Sequence, residues 1–280
     1  MKIAVHLHFY YLDQLPDILR YLHSLDDQKY DLFVTMNKHD EEVEKAIKRL
    51  NSKTTFMIVP NMGYDIGPFI EFLHKVDLDG YDYILKIHTK AYVSKNYALL
   101  NKKRLDNRLW RRILLEALLK DKTRVQDNLK ILEDNPNIGM LASKYCVTNE
   151  KRIYQKLLPQ VNDILKACGF NEVNTIHFVA GTMFYVRARL LKPLLKYTIK
   201  DFAQTDEDIK EGTFAHVAER LFGALVEAQG YVVHGIEHDN YTKEFILTAL
   251  KYFVFQKKET KRRVLIKVFR IPVYAKKKPK

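Results

Sequence analysis

Along the first ninety residues the spacing of apolar positions switches repeatedly between two periods. "KIAVHLHFY" alternates into an apolar run and predicts a first strand, whereas "DQLPDILRYLHSL" sets Leu, Ile and Tyr at helical spacing. "YDLFVTMN", "TTFMIVP" and "YDYILKIH" predict further strands, with amphipathic "DEEVEKAIKRL" and "IGPFIEFLHKV" as helices between them. Strand and helix in regular alternation predict an α/β fold, a mainly parallel central sheet flanked by helices. Residues 96–134 read as helical, "NPNIGMLAS" as a turn and short strand, "HFVAGTMFYVRARLLKPLL" as strand then helix, "GTFAHVAERLFGALVEAQGY" as a helix, and "YVVHGIEHDNY" as a strand ending in two histidines.

Ligands of such sheets sit beyond the carboxyl ends of the strands. That places candidate chemistry at His8, at Thr35, at the turn Asn61, Gly63 and Asp65, and at His88 and Lys90. Each has a plainer reading. Asp65 is at the start of a helix and suits a cap, His88 suits a hydrogen-bonded strand end, and Lys90 suits solvent. Their convergence on one edge favours a binding role, with the ammonium matched to phosphate oxygens. Gly181 permits close backbone approach, and Arg187 ends its strand with a group able to hold a phosphate or pair with an acid. His216 and Glu219, three apart, share a helical face beside Arg220, which makes Glu219 the carboxylate best placed to act as a general base.

The charge of +13 is concentrated at one end: residues 251–280 hold twelve Lys or Arg against one Glu, so the first 250 residues are nearly neutral. Cations interleaved with Val, Leu, Ile, Phe and Tyr in "FVFQKKETKRRVLIKVFRIPVYAKKKPK" suit an anionic membrane surface. A near-neutral α/β domain over 1–245 and a basic amphipathic tail over 246–280 are therefore expected. The near-neutral body carries no nucleic-acid-binding motif, so no nucleic-acid partner is expected. The opening residues lack secretory features, and a cytoplasmic location, peripheral on the inner face of the cell membrane, is expected. Cys146 and Cys168 lack metal-site spacing and read as free thiols.

The order of these motifs resembles glycosyltransferases of the GT-A fold. "VHLHFYYLDQLPDIL", "NMGYDIGPF", "YDYILKIHTK", "LWRRILLEALL", "FVAGTMFYVRARLLKPLL" and "AHVAERLFGALVEAQGY" are similar to the rhamnan synthesis protein F family from about residue 3 to 240. The resemblance implies transfer of a sugar, rhamnose or a related deoxysugar, from a nucleoside diphosphate donor such as dTDP-rhamnose or a UDP-sugar to a growing cell-surface polysaccharide or lipid-linked glycan. It implies Glu219 as base with His216 assisting; donor contacts fall to His8, Thr35, Asn61, Gly63, Asp65, His88, Lys90, Gly181, Arg187 and Arg220. Where the wider group places Asp-x-Asp and a divalent ion, this chain has His88 and Lys90, so no cofactor is expected to be required. The alternative is a divalent metal such as Mn or Mg, held by His88, Asp65, His234 and His238. A GT-A-like protein that binds glycan without turnover is one functional alternative, and a basic protein that binds nucleic acid through the tail is another.

Overall fold

The computed structural model describes residues 1–90, 98–100, 103–148, 155–202, 213–259 and 263–277. Strands β1 (Ile3–His8), β2 (Tyr30–Met36), β3 (Thr55–Ile58), β4 (Tyr83–His88), β7 (Ile138–Ser143), β10 (Phe184–Arg187) and β11 (Val232–Ile236) form one sheet in the order β11-β7-β10-β4-β1-β2-β3. β10 runs antiparallel to its neighbours β4 and β7, while the other strands of the sheet run parallel. The exception has a consequence for the site, because β10 begins at the edge where the others end.

β1 and β4 are buried along their whole length, as expected of central strands covered on both faces. α3 (Ile66–Leu73) and α7 (Phe214–Ala228) pack together and cover one face, with α6 (Leu158–Ala167) against α7 and a small antiparallel pair, β8 (Val147–Thr148) with β9 (Phe178–Val179), beside it; α1 (Leu15–Leu22), α4 (Asn107–Leu119) and α5 (Lys122–Asp134) pack on one another on the opposite side. Aspartates set where several helices begin. Asp40 accepts the Val43 N–H at 2.9 Å to start α2 (Glu41–Leu50), and Asp106 and Asp121 do the same for α4 and α5 at 2.8 Å.

Two segments depart from the pattern-based expectation. β5 (Ala98–Leu100) pairs antiparallel with β6 (Lys103–Leu105), and the helix expected from residue 96 starts only at the Asp106 cap. The C-terminal segment is built of regular elements: α8 (Thr242–Val254) runs across the expected division at residue 245 and leads into an antiparallel meander of β12 (Phe255–Glu259), β13 (Arg263–Val268) and β14 (Ile271–Lys277).

Candidate active site

At the carboxyl edge of β1 and β4 lies a cavity of about 390 Å³ lined by His8, Tyr10, Tyr11, Asn61, Tyr64, Asp65, His88, Thr89, Lys90 and Asn107. The turn after β3 builds one wall. Gly63 adopts φ 69°, where a side chain would run into the Phe202 ring, and Tyr64 follows at φ 56°. This left-handed pair brings Tyr64 and Asp65 onto the cavity.

Asp65 occupies the cap position of α3 but makes no capping hydrogen bond. Its Oδ2 instead accepts from Lys86 Nζ and Thr182 Oγ1 and lies 3.6 Å from His88 Nε2. Lys86 is fully buried within β4, and its ammonium also donates to the Thr182 carbonyl at 3.0 Å and Oγ1 at 3.1 Å, so each of its three protons has an acceptor. Burial opposes the Asp65 anion, but the neighbouring His88 and Lys86 and the hydrogen bonds from Lys86 and Thr182 outweigh it and hold the carboxyl far below the usual range. Burial lowers the Lys86 pKa, with Asp65 working against it. A carboxylate so firmly ionised is a fixed charge and a poor proton acceptor.

His88 turns its Nδ1 to the Thr89 carbonyl and its Nε2 to the Gly181 carbonyl, both at 2.9 Å, and so ties the end of β4 to the loop entering β10. Burial draws its pKa down, and Asp65 draws it back up. The sequence assigned His88 to phosphate; its ring nitrogens are engaged by backbone, and among the described residues the cavity wall presents Lys90 as a cation, with its Nζ 4.2 Å from the Trp110 ring centre. Lys90 is itself anchored through its backbone: Gln14 accepts its N–H at 3.1 Å and donates to its carbonyl at 2.5 Å. Thr89 Oγ1 accepts the N–H groups of Tyr10 and Tyr11 at 2.9 and 3.0 Å, locking the loops after β1 and β4 together.

Thr35, expected to touch the donor, lies fully buried beneath His8. Its Oγ1 is 3.1 Å from His8 Nδ1 and 3.0 Å from His6 Nε2, so it orients rings and does not line the cavity. Burial lowers the His8 pKa to about 3, which leaves a neutral imidazole at the cavity wall.

Glu219, on α7, joins the site through Gly181. The Gly181 N–H donates to Glu219 Oε1 at 3.1 Å while its carbonyl faces His88; with φ 91° and the Trp110 and Leu114 side chains against its α-carbon, this position requires glycine. Arg220 donates to Glu219 Oε2 at 2.5 Å and to the His216 carbonyl at 3.1 Å, with its guanidinium 4.7 Å from the Phe178 ring centre. It is buried and absent from the cavity wall, so its place is behind Glu219 rather than on a donor. His216 shares a hydrogen bond of 2.9 Å with Thr213 and has its ring 6.4 Å from that of Tyr64.

Other expected residues lie elsewhere. Arg187 ends the antiparallel β10, so it emerges at the opposite edge, where it donates to the Ile138 and Leu132 carbonyls at 2.8 and 2.9 Å and to the Tyr83 hydroxyl at 3.1 Å. His234 is on β11, separated from β4 by β7 and β10, and His238 is 2.7 Å from Ser143 Oγ with its pKa lowered by burial to about 4. The four residues considered for a metal therefore do not assemble. Among the described residues no group of three or more His, Cys, Asp or Glu could hold a metal ion, and the Asp65 oxygen already faces a buried ammonium. Among the described residues, His88, Asp65, His234 and His238 do not form a divalent-cation site.

Sequence reading missed Lys86, Thr182 and Gln14. The signal for Lys86 was present, as a lone cation inside the apolar run "YILKIH" of a central strand.

The chain matches the rhamnan synthesis protein F family over residues 1–231. It is 26% identical over 237 residues to the uncharacterized protein WxcX of Xanthomonas campestris pv. campestris, covering 84% of this chain and 32% of that protein, so it spans about a third of the curated relatives it matches. Among solved structures it is similar to S. aureus TarS 1-349 (12% identity, 80% of this chain and 56% of that one, TM-score 0.38). It is also similar to M. tuberculosis glucosyl-3-phosphoglycerate synthase, solved with Mn2+, UDP and glucosyl-3-phosphoglycerate (11% identity, 97% and 89%, TM-score 0.35). Likeness at this level carries no function across. With most of its length matched in one family, the chain belongs to the rhamnan synthesis protein F family.

Proposed function

We propose that this chain is a GT-A-like glycosyltransferase that moves a sugar from a nucleoside diphosphate donor to a growing cell-surface polysaccharide or lipid-linked glycan. One observation carries the reading. At the carboxyl edge of the sheet, the Gly181 backbone joins a carboxylate, Glu219, to a cavity whose walls include the neutral His8, the anion Asp65 and the cation Lys90. Family membership supplies the reaction class, and rhamnose is the sugar we propose, from dTDP-rhamnose or a UDP-sugar.

Transfer proceeds by displacement at the anomeric carbon. Glu219 takes the proton of the acceptor hydroxyl, its two oxygens fixed by the Gly181 N–H and Arg220, and the acceptor oxygen forms the new glycosidic bond as the bond to the diphosphate breaks. Lys90, held over Trp110, receives the negative charge of the departing diphosphate as a fixed cation. Asn61, Asp65 and His8 seat the nucleoside, and His216 faces the acceptor beside Tyr64. No step is routed through a metal.

A second reading, glycan binding without turnover, is favoured by the engagement of both His88 nitrogens with backbone, which removes one cation from the diphosphate. Titration calorimetry with dTDP-rhamnose and UDP-sugars, followed by assay of nucleoside diphosphate release with a lipid-linked acceptor, separates the two. Donor binding with release supports the transferase; glycan binding with no affinity for any donor refutes it.

A further inference from the structure

The C-terminal helix is apolar on the side turned away from the protein. Phe245 and Thr248 of α8 are buried, whereas Ile246, Leu247, Leu250, Phe253 and Val254 are all more than 40% exposed. Spacings of one, four, seven and eight residues put these five on one face. The meander extends the face. The Phe269 N–H donates to the Val254 carbonyl at 2.8 Å, the Phe253 and Phe269 rings are 6.2 Å apart, and Arg270 places its guanidinium 5.4 Å from the Phe253 ring centre. Beyond that turn β14 is exposed throughout, including Ile271, Val273 and Tyr274.

An apolar surface this extensive marks a docking site, and its charge says what docks. Residues 251–280 carry twelve Lys or Arg and one Glu. Among the described residues Lys251, Lys267, Arg270, Lys276 and Lys277 lie on this helix and the strands and turn that follow it, and two copies of a segment of this charge repel one another, which argues against self-association. A nucleic acid would answer the cations but leave Ile246, Leu247 and Leu250 in water. A lipid bilayer with anionic headgroups answers both, apolar side chains entering the acyl boundary while lysines remain at headgroup level. Among the described residues no helix is long and apolar enough to cross a membrane.

We propose that α8 and the β13–β14 hairpin together form a membrane-surface docking platform for anionic lipid. It comprises the helix face as well as the basic tail, and it lies close to the site. Asp106, Arg108 and Leu109 at the start of α4 line a groove with Leu247, Thr248 and Lys251, while their neighbour Asn107 lines the candidate active-site cavity. Docking therefore brings the cavity toward the bilayer, where a lipid-linked acceptor would be met. The binding itself does not depend on the transferase reading and is tested without turnover.

The experiment is cosedimentation of the full chain with phosphatidylcholine vesicles, with and without phosphatidylglycerol, for the wild type and two variants. One variant is Ile246→Ser/Leu250→Ser/Phe253→Ser; the other is Lys251→Gln/Arg270→Gln/Lys276→Gln/Lys277→Gln. Circular dichroism of each variant verifies folding, which these exposed positions should leave unchanged. The expected result is binding to phosphatidylglycerol-containing vesicles, strong loss in the apolar variant even at low salt, and roughly fivefold weaker partitioning per cation removed. Absence of vesicle binding by the wild type overturns the proposal, whether the chain stays monomeric, self-associates or binds arbitrary DNA. Vesicle binding by the folded apolar variant at wild-type strength overturns the helix as part of the platform.

Discussion

The two ends of the chain invert the usual distribution of residues in opposite senses. At the strand edge, polar and charged groups are buried: His6, His8, Thr35, Lys86 and His88 lie within a few per cent of full burial, arranged around Asp65. At the C-terminus, Ile246, Leu250, Phe253, Ile271 and Val273 face solvent. The burial of charge carries a desolvation cost that is offset only by complete pairing, and Lys86 shows such pairing with Asp65 and Thr182. The exposure of apolar surface is a cost awaiting a partner. Pairing within the chain offsets the buried charge, whereas the exposed apolar surface is offset only under the proposed membrane contact.

Substitutions should separate these regions sharply. The largest effect is expected from Glu219→Gln, which keeps the Gly181 hydrogen bond available while removing the base; turnover should fall about 10²–10⁴-fold, with donor affinity measured by calorimetry little changed. Lys86→Met leaves Asp65 ionised without its main partner and should destabilise the fold by about 3–5 kcal/mol in urea denaturation. Adding Asp65→Asn should recover part of that loss, a coupling that a purely steric effect of Lys86→Met would not produce.

Acid should weaken the strand edge before it touches the platform. The His8 pKa is lowered to about 3 in the fold, below the ordinary value of about 6.5, so between these limits the unfolded chain binds more protons and stability declines as pH falls. The slope contributed by His8 approaches about 1.4 kcal/mol per pH unit below pH 6.5, and His8→Asn should flatten it in unfolding curves taken between pH 7.5 and 5. Asp65 acts lower on the scale. Its depressed pKa adds stability above the unfolded value of about 3.9, lost as pH drops further toward the folded value. The smallest effect is expected from Phe253→Ser: stability should change by no more than about 0.5 kcal/mol, although vesicle binding should drop.

The contrast also explains what could be read from the sequence. Alternating periods exposed the parallel sheet and its carboxyl edge, where the structure also places Gly63, Asp65, Lys90 and Gly181 in and around the cavity. Arg187 was misassigned because direction is invisible in a short apolar run: reversal of β10 carries its last residue to the far edge. Thr35 and Arg220 were assigned to the donor because sequence gives the edge but not the depth, and each instead orients a neighbour, His8 and Glu219. Lys86 lay inside a strand rather than at its end. The C-terminal charge was legible, but the helix beneath it was not, since apolar residues on two faces blur the helical period.

The central claim, a transferase whose leaving diphosphate is met by the Lys90 ammonium and whose base is Glu219, is tested most directly by nucleoside diphosphate release from dTDP-rhamnose and UDP-sugars with lipid-linked acceptor. Wild type and Glu219→Gln are compared, each with and without EDTA. Release that survives EDTA and fails in Glu219→Gln is the predicted result. Release abolished by EDTA, or equal in the two proteins, would contradict it.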